Sequence, residues 1–371
     1  MKVAIVHDYL KEIGGAEKVL MALCEMFPDA PVYTAYNFPE YREKGKIEGP
    51  EAKRRIRESW GKYLPFLPKF ISYYTILSPL FFKSFDLSEY DLVIVSQTGG
   101  YFPNGVKIGP NTKLVTYCHT PPRFLYGYET ATKERDKWYW RPISAIANHI
   151  LLMVDFTFAQ KPHLFIANSK NVAARIDKFY RRDSVVVYPP VSPPSVPPLN
   201  LSGGKYYLVV SRIVGSKGLE LLYDLGKKYK IKVAGRAINE SGELIVQKLK
   251  ENNIEYLGEV SEEEKWKLMS EAKGFLCLGH DEDFGITPVE AQMCGTPVVA
   301  FNGGGYRETV INKKTGILFD EYTTEGVMGA MREMGKIGWD RKAMRKHAQK
   351  FSKENFKKQI LKLITHPQPL S

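Results

Sequence analysis

Six of the eleven residues from Tyr188 to Pro198 are proline, near the middle of a chain of 371 residues. A helix or an interior strand cannot pass through such a segment, because proline has no backbone N–H to donate and fixes its φ angle. The segment is expected to be a stiff, extended connector. We therefore predict a domain boundary here, and a chain of this length has room for two domains.

Before the connector, short apolar runs alternate with patterns typical of helices. The predicted strands are Val3–Val6, Val32–Ala35, Asp91–Ser96, Lys113–Tyr117, Leu164–Ala167 and Ser184–Val187. Two helices are predicted, Ala16–Phe27 with its apolar residues on one face and Lys170–Phe179 capped by Asn168 and Ser169. Strands that alternate with helices are typical of a parallel, doubly wound sheet.

The same alternation starts again after the connector. The predicted strands are Tyr206–Ser211, Ile231–Ala234, Ile254–Leu257, Gly274–Leu278, Pro297–Phe301 and Gly316–Phe319. The predicted helices are Gly218–Lys227, Gly242–Glu251, a helix from the Ser261/Glu264 capping box to Ala272, Pro288–Cys294, and basic helices between Thr323 and Ile364. We therefore predict an α/β fold with two Rossmann-like domains facing across a cleft, residues 1–190 and 203–348, and a closing helical segment, residues 349–371.

The formal net charge of +12 favours anionic partners. Such partners are nucleic acids, anionic membrane surfaces and phosphorylated substrates, and simple solubility is the alternative explanation. Nucleic acid is not expected, because the basic residues are dispersed and the sequence has no RNA-binding or helix-turn-helix signature.

Four scattered cysteines, Cys24, Cys118, Cys277 and Cys294, show neither zinc-ligand spacing nor a dense disulfide framework. The first residues have a short strand pattern rather than the long apolar region of a signal peptide. The sequence also has no run of about 20 apolar residues that could span a membrane. These features predict a reducing, cytoplasmic location.

Two acidic residues, Glu282 and Glu290, follow the predicted strand Gly274–Leu278. Open α/β sheets bind ligands at the carboxyl ends of strands, where carboxylates can accept hydrogen bonds from sugar hydroxyls and a helix start can face a phosphate. The substrate indicated is a sugar attached to a nucleoside diphosphate. The alternatives are structural, because Thr287, Pro288 and Glu290 also fit a helical capping box and Glu282 also fits a solvated acidic turn.

Arg212 and Lys217 lie at the junction between the strand Tyr206–Ser211 and the next helix. Two cations at such a junction can neutralise a diphosphate leaving group without a metal ion. A basic, solvated loop is the alternative. Asp281 and Asp283 also fit a divalent-metal site on the diphosphate, which ranks lower because the two cations already supply positive charge.

Further candidates follow other predicted strands. Gly14 and Gly15 lie in the first strand–helix loop, where paired glycines let the backbone approach a ligand, and a plain turn is the alternative. His119, like the pair His7 and Asp8, directly follows a strand, which favours a role in ligand binding. A structural histidine fits His119 as well.

Aromatic residues and prolines are dense between Tyr63 and Phe85, and Lys53, Arg54 and Arg55 precede them. Basic residues beside an apolar, aromatic surface suit peripheral contact with an anionic membrane. A buried helix pair in the first domain is the alternative.

Taken together, the motifs resemble those of the retaining family-4 glycosyltransferases with the GT-B fold, over nearly the whole chain. Glu282 and Glu290, eight positions apart (290 − 282), are similar to the E-x7-E signature of that family. The other matching motifs are Arg212 with Lys217-Gly218, Gly304-Gly305 with Glu308, and Gly14-Gly15-Ala16-Glu17. Tyr117–Pro121 and Tyr90–Ile94 resemble the mannosyltransferase-type branch.

The resemblance implies a role for each candidate. Glu290 would bind the ribose hydroxyls, Glu282 and His119 the donor sugar, and Arg212 and Lys217 the diphosphate. The remaining implied donor-binding positions are Ser211, Phe284, Gly285, Ile286 and Thr287, with Gly14 and Gly15 beside the phosphates or the acceptor. No metal or other cofactor would be needed. The last helix, Lys350–Ile364, would return to the N-terminal domain.

The implied reaction is retaining transfer of a hexosyl group, chiefly mannosyl, from a donor such as GDP-mannose or a UDP-sugar to a hydroxyl of a lipid-linked glycan or glycolipid. Two departures from the family pattern are Asp283, where relatives have glycine, and Gln97–Gly100, where relatives often have serines. The alternatives are a non-catalytic nucleotide-sugar or polyanion-binding protein and a soluble sugar-phosphate or glucan synthase of the same fold.

Overall fold

The structure of the protein is a computed structural model that describes residues 1–38, 41, 56–128, 141–193, 199 and 204–365. The chain divides into two units, one comprising Met1–Pro190 with Phe356–Ser371 and the other Val191–Asn355. Each unit is built on a parallel sheet with helices, which confirms the predicted α/β fold class.

Among the described residues, the first unit has seven strands: β1 (Val3–His7), β2 (Val32–Thr34), β3 (Ile56–Glu58), β4 (Leu92–Gln97), β5 (Lys113–Cys118), β6 (Leu164–Ala167) and β7 (Ser184–Val186). They pair in parallel in the order β3-β2-β1-β4-β5-β6-β7. Every residue of β4 is buried, as expected for a parallel strand that is covered on both faces. The edge strand β3 is not among the predicted strands.

The α-helices of the first unit are Gly15–Met26, Leu67–Phe70, Ser78–Lys83, Arg141–Ala159, Lys170–Tyr180 and Lys353–Thr365, and its 3-10 helices are Trp60–Tyr63, Tyr74–Leu77 and Pro103–Gly105. Ser169 caps the helix Lys170–Tyr180 as predicted, because its hydroxyl accepts a hydrogen bond of 3.1 Å from the backbone N–H of Val172. The long helix Arg141–Ala159 was not predicted.

The last helix completes the core of the first unit. Its residues Phe356, Ile360 and Ile364 pack with buried side chains of the sheet. The ring of Phe356 lies 5.7 Å from that of Tyr117 on β5, and the Lys113 ammonium donates a hydrogen bond of 3.2 Å to the carbonyl oxygen of Ile364.

The described strands of the second unit are β8 (Tyr207–Val210), β9 (Ile231–Ala234), β10 (Glu255–Gly258), β11 (Gly274–Cys277), β12 (Val298–Phe301) and β13 (Gly316–Phe319). Their order is β10-β9-β8-β11-β12-β13, again parallel. The α-helices are Asn239–Glu251, Glu262–Glu271, Ile286–Met293, Tyr306–Thr309, Thr324–Met334 and Arg341–Ala348, and the 3-10 helices are Gly215–Lys217, Leu219–Leu225 and Gln349–Phe351.

One predicted helix has the 3-10 form. The helix predicted over Gly218–Lys227 is a 3-10 helix, Leu219–Leu225. Leu219, Leu222 and Leu225 are all buried. A spacing of three residues lines up on one side of a 3-10 helix, which has three residues per turn, and this packing favours the tighter form.

Each sheet has one point where the strand order reverses. These switch points lie between β1 and β4 in the first unit and between β8 and β11 in the second. Connections leave a switch point toward opposite faces of the sheet, so a crevice opens at the carboxyl ends of the two strands and binds ligands. The strand-end residues singled out in the sequence therefore lie where each sheet is suited to bind a ligand.

The segment Tyr63–Phe85 is neither wholly exposed, as a membrane-contact surface would be, nor wholly buried, as a helix pair in the core would be. Phe81 and Phe82 are fully buried, whereas the side chains of Tyr63 and Phe66 are 79% and 75% exposed. The basic residues at positions 53–55 lie outside the described residues. None of the helices in the described part of the chain is long and apolar enough to cross a lipid bilayer.

Candidate active site

A lysine and a glutamate form an ion pair at the switch point of the second sheet. Glu282 follows β11, and Lys217 ends the short turn that follows β8. Lys217 Nζ lies 2.7 Å from Glu282 Oε2, and 22% and 23% of the two side chains are exposed. Because water partly screens such a pair, its mutual attraction is modest and either group can exchange its partner for a ligand.

Ser211 and Arg212 stand at the carboxyl end of β8, on the same loop as Lys217. The Ser211 backbone N–H donates to the carbonyl oxygen of Ala234 at 3.1 Å, so the sheet fixes the start of the loop. The Arg212 side chain is exposed. Arg212 and Lys217, the two predicted cations, therefore lie on the same loop after β8.

Tyr306 is a functional candidate that the sequence analysis missed. Its buried hydroxyl hydrogen-bonds to the Glu282 side chain, and burial together with that carboxylate raises the pKa of Tyr306 well above its usual value. The phenol therefore stays protonated and acts as a donor. The sequence signal that could have identified it is its place directly after the three glycines Gly303–Gly305.

Those glycines pack against the backbone that carries Glu282. The Gly305 N–H donates to the carbonyl oxygen of Glu282 at 2.8 Å, and Gly304 has a φ of +52°. A side chain on Gly304 would collide with that carbonyl oxygen. Glycine is therefore required here for both the left-handed conformation and the close approach.

Glu290 is held by a lysine that the sequence analysis also missed. Lys265 Nζ lies 2.9 Å from Glu290 Oε1 and 2.8 Å from Glu262 Oε2. Glu290 is 1% exposed and Lys265 is 7% exposed, so this ion pair is almost completely buried. Lys265 stands three residues after Glu262, a spacing typical of an ordinary pair on a helix surface, and the sequence therefore gave no sign of its buried partner.

The predicted helix start at Pro288, with Thr287 as the N-cap, is wrong. The helix is Ile286–Met293 and its N-cap is Gly285, whose φ of +85° turns the chain into the helix two residues earlier. Pro288 is tolerated because the first helical turn has unpaired N–H groups in any case. Glu290 therefore lies inside the helix and is not part of a capping box with Thr287.

The other predicted donor-binding residues surround this helix start. Phe284 is buried, with its ring 5.5 Å from that of Phe351. Ile286 and Thr287 are partly exposed, and the Thr287 side chain hydrogen-bonds to the thiol of Cys277. Across the residues that the structure describes, no group of three or more His, Cys, Asp or Glu side chains is arranged to hold a metal ion.

Gly14, Gly15 and His119 belong to the first unit. The two glycines follow β1, at the switch point of the sheet, and His119 follows β5, the neighbour of β4. His119 Nε2 lies 3.0 Å from the hydroxyl of Ser96, which lies 3.1 Å from Nδ1 of His7. Burial and the neighbouring His7 lower the pKa of His119 to about 3, so its ring is neutral at physiological pH. Ser96 was not singled out from the sequence.

The glycine loop is linked to the same histidine network through Glu17. The Gly14 N–H donates to Glu17 Oε2 at 2.8 Å, and the other carboxylate oxygen lies 3.7 Å from His7 Nε2. The Gly14 amide is therefore engaged by its own helix, and Gly15 begins that helix. This arrangement favours the structural alternative for Gly14.

Asp8 has a clear structural role. Its buried carboxylate accepts hydrogen bonds from the hydroxyl and N–H of Thr98 and from the N–H groups of Gly100 and Tyr101, at 2.7 to 3.2 Å. Burial raises the pKa of Asp8 in spite of these donors. The carboxyl group thereby shapes the loop Thr98–Tyr101, which follows β4.

Two family models match consecutive parts of the chain. The family described as "Glycosyltransferase Family 4" matches residues 13–193, and the family described as "Glycosyl transferases group 1" matches residues 196–351. Together the matches span most of both units, and the second match includes both strands at the switch point of its sheet.

Several similar proteins are named as mannosyltransferases and match most of this chain. An "Alpha-1,3/1,6-mannosyltransferase ALG2" of Dictyostelium discoideum is 26% identical over 370 residues, covering 86% of this chain and 86% of that protein. The human protein of the same name is 25% identical over 317 residues, covering 75% of this chain and 73% of its own.

Solved structures establish the fold. Anabaena HepE in complex with UDP has a TM-score of 0.68 at 18% identity, covering 98% of this chain and 100% of that chain. Sucrose-phosphate synthase from Thermosynechococcus elongatus has a TM-score of 0.70 at 16% identity, covering 98% of each chain. The predicted family and enzyme class are confirmed. This hexosyltransferase belongs to the family-4-like glycosyltransferases with the GT-B fold, and within that family it is mannosyltransferase-like.

Proposed function

We propose that the protein transfers a mannosyl group from a nucleoside-diphosphate mannose to a hydroxyl of a lipid-linked glycan, with retention of configuration. The observation that carries the proposal is the Lys217–Glu282 ion pair at the switch point of the second sheet. The relatives named as mannosyltransferases support mannose as the sugar, because they match over most of their length.

The ion pair joins two groups that such a donor requires side by side. In a nucleotide sugar the sugar ring is bonded directly to the diphosphate, so one donor can offer a hydroxyl to Glu282 and a phosphate to Lys217. The carboxylate accepts from the hydroxyl, and the ammonium donates to the phosphate. Donor binding thus replaces one partly screened ion pair with two charge-assisted contacts.

With the donor bound in this way, the sugar is transferred in one step. The acceptor oxygen attacks the anomeric carbon on the side of the leaving group, the bond from that carbon to the diphosphate oxygen breaks, and the departing oxygen takes the acceptor proton. Lys217 and Arg212 stabilise the negative charge that develops on the diphosphate. Because two side-chain cations carry this charge, the proposed reaction does not depend on a divalent metal.

The nucleoside would bind beside Glu290. With Lys265 as its counter-charge, Glu290 is an ionised acceptor for the ribose hydroxyls. The start of the helix Ile286–Met293, at Gly285, would face the diphosphate with its N–H groups. Phe284, Thr287 and Ser211 would line the same donor site.

The decisive experiment is product analysis with a panel of donors. The full chain is incubated with GDP-mannose or a UDP-hexose and with either a lipid-linked glycan or a soluble sugar phosphate, in the presence of EDTA. We expect an α-mannosyl product from GDP-mannose on the lipid-linked acceptor. A β-linked product would contradict retention, loss of transfer that Mg²⁺ restores would contradict metal independence, and preference for a sugar phosphate would indicate a soluble synthase.

A lipid-linked acceptor requires the protein to contact a membrane surface. We assign this contact to the exposed part of Tyr63–Phe85. Tyr63, Phe66 and Leu80 are exposed, and the ammonium of the preceding residue, Lys62, lies 5.0 Å from the Tyr63 ring centre. Aromatic side chains with an adjacent cation suit the interface of an anionic membrane.

Cosedimentation with vesicles containing anionic lipid tests this contact. We expect binding that weakens with salt and falls by at least about tenfold in Tyr63→Ser/Phe66→Ser, since tenfold corresponds to about 1.4 kcal/mol. Leu244→Ser, at an exposed leucine of the second unit, is the matched control. Equal binding of the double variant and the control would rule out this surface.

A further inference from the structure

A buried hydrogen-bonded chain lies behind His119. Ser96 Oγ is 3.0 Å from His119 Nε2 and 3.1 Å from His7 Nδ1, and His7 Nε2 is 3.7 Å from Glu17 Oε1. His7 and Ser96 are fully buried. The Nε2 side of the His119 ring is therefore held by a protein hydroxyl rather than by bulk water.

The number of protons available determines which group donates each hydrogen bond in this chain. A serine hydroxyl has one proton, so Ser96 can donate to only one of its two imidazole neighbours. At the far end, His7 Nε2 is buried and has no hydrogen-bond partner among the described residues. A proton on that nitrogen faces the Glu17 carboxylate and is stabilised by its charge.

The neighbouring acid does not compete for this proton. The oxygens of Asp8 already accept the hydrogen bonds from Thr98, Gly100 and Tyr101. With its proton on Nε2, His7 presents a lone pair at Nδ1, and Ser96 donates to it. Ser96 must then accept from His119, which carries its own proton on Nε2.

We propose that Ser96 and His7 are positioning residues that fix His119 as the Nε2–H tautomer, so that its Nδ1 is a hydrogen-bond acceptor for a substrate hydroxyl. The identity of the substrate rests on the proposed function, whereas the tautomer rests on the contacts alone. A nitrogen that accepts pairs with a hydroxyl and not with a phosphate oxygen. The hydrogen-bonded chain thus suits His119 to a hydroxyl group rather than to a phosphate.

This hydrogen-bonded chain also connects two motifs that are distant in the sequence, the glycine loop and His119. Glu17 holds the Gly14 N–H with one oxygen and faces His7 with the other. The conformation of the glycine loop and the tautomer of His119 therefore depend on the same carboxylate, and a change at Glu17 is expected to alter both.

Nitrogen NMR of the full chain, labelled with ¹⁵N-histidine and studied at pH 8 without substrate, tests the tautomer. The chain has 7 histidines, and the His119 signal is the one lost in His119→Asn. We expect a protonated Nε2 and an unprotonated Nδ1 in the wild type and in Ser96→Thr, which keeps the hydroxyl. Ser96→Ala should give a mixture of tautomers. Ser59→Ala, at another buried serine of this unit, should leave the signal unchanged.

A wild-type His119 with its proton on Nδ1, or an unchanged tautomer in Ser96→Ala, would overturn the proposal. If Ser96→Ala does not fold, Glu17→Gln provides the second test, because it removes the charge that orients His7. The expected result is a loss of the Nε2–H preference in both histidines, and unchanged signals in this variant would likewise overturn the proposal.

Kinetics separate a positioning role from a purely structural one. Ser96→Ala should lower kcat for mannosyl transfer by about tenfold with less than about a threefold change in KM, and Ser96→Thr should restore most of kcat. Equal kcat in Ser96→Ala and wild type would overturn the positioning role. If the wild type transfers no mannose, the proposed function fails, and the NMR result still decides the tautomer.

Discussion

Lys265 and Glu290 form an ion pair that is almost completely closed to water, with Nζ 2.9 Å from Oε1. They lie on two separate helices, Glu262–Glu271 and Ile286–Met293. Removal of one member of a buried pair leaves the other charge without compensation, which typically costs about 3–5 kcal/mol. The proposed ribose-binding acid is therefore tied to the stability of the second unit.

Replacing Lys265 is expected to destabilise the protein strongly. Lys265→Met should lower the free energy of unfolding by about 3 kcal/mol, measured by urea denaturation. Lys267→Met, at an exposed position of the same helix, is the matched control and should change it by less than about 0.5 kcal/mol. The double variant Lys265→Met/Glu290→Leu should lose less stability than the two single variants summed, and simple additivity would show that the pair is not coupled.

Removal of either cation at the β8 loop is expected to slow catalysis. Lys217→Ala and Arg212→Ala should each lower kcat by about 10²–10³-fold, because each removes a charge that stabilises the leaving diphosphate. The measurement is steady-state transfer from GDP-mannose. Lys313→Ala removes a lysine from an exposed ion pair of the same unit and should retain full activity. Normal turnover in both test variants would contradict their assigned role.

The stability of the first unit is expected to depend on pH through Asp155. Its carboxyl accepts hydrogen bonds from the hydroxyls of Tyr126 and Tyr180, yet burial raises its pKa from 3.8 to about 7. The folded state keeps the proton up to a higher pH than the unfolded chain does. The contribution of this group to the free energy of unfolding is therefore full below about pH 4 and falls as the pH rises to about 7.

The variant Asp155→Asn removes this titration. Its stability relative to the wild type should rise by about 4 kcal/mol between pH 4 and pH 8, measured by urea denaturation at each pH. Asp177→Asn, at an exposed aspartate on a neighbouring helix, is the control and should show no such trend. A constant difference between Asp155→Asn and wild type would show that the pKa is not raised.

Two glycines of the second unit should respond in opposite ways to alanine. Gly304→Ala places a methyl group against the Glu282 carbonyl at a positive φ and should lower stability by about 1–3 kcal/mol and reduce transfer. Gly329→Ala, inside the helix Thr324–Met334, meets no atom within 4 Å and should raise stability by up to about 1 kcal/mol. Thermal denaturation distinguishes the two, and similar shifts would contradict the collision.

The strands were predictable because their signal is local. Leu164–Ala167, Ile231–Ala234 and Gly316–Phe319 were predicted at their observed bounds, since each is a short apolar run next to polar or turn residues. Strand ends that carry Glu282 and His119 could be identified for the same reason. The helix Arg141–Ala159 was missed because its sequence is apolar on several sides, and Ile146, Ile150 and Met153 remain exposed.

The partners of the site residues were not predictable from one sequence. Lys265 is 25 positions from Glu290 (290 − 265), and Ser96 is 23 positions from His119 (119 − 96), so only the folded sheet brings them together. Tyr306 reaches Glu282 because glycines let two loops touch. The helix starts at Ile286 because Gly285 has a positive φ. The Thr-Pro pattern two residues later instead favoured a start at Pro288.

The helix Lys353–Thr365 also bears on how the protein is made. A ribosome releases the chain from its N-terminus, so the strands of the first unit emerge long before Phe356, Ile360 and Ile364 exist to cover them. The core of that unit stays incomplete until this helix has been synthesised. A premature stop codon just before this helix would therefore leave the first unit unfinished as well, although the strands of that unit would already have been made.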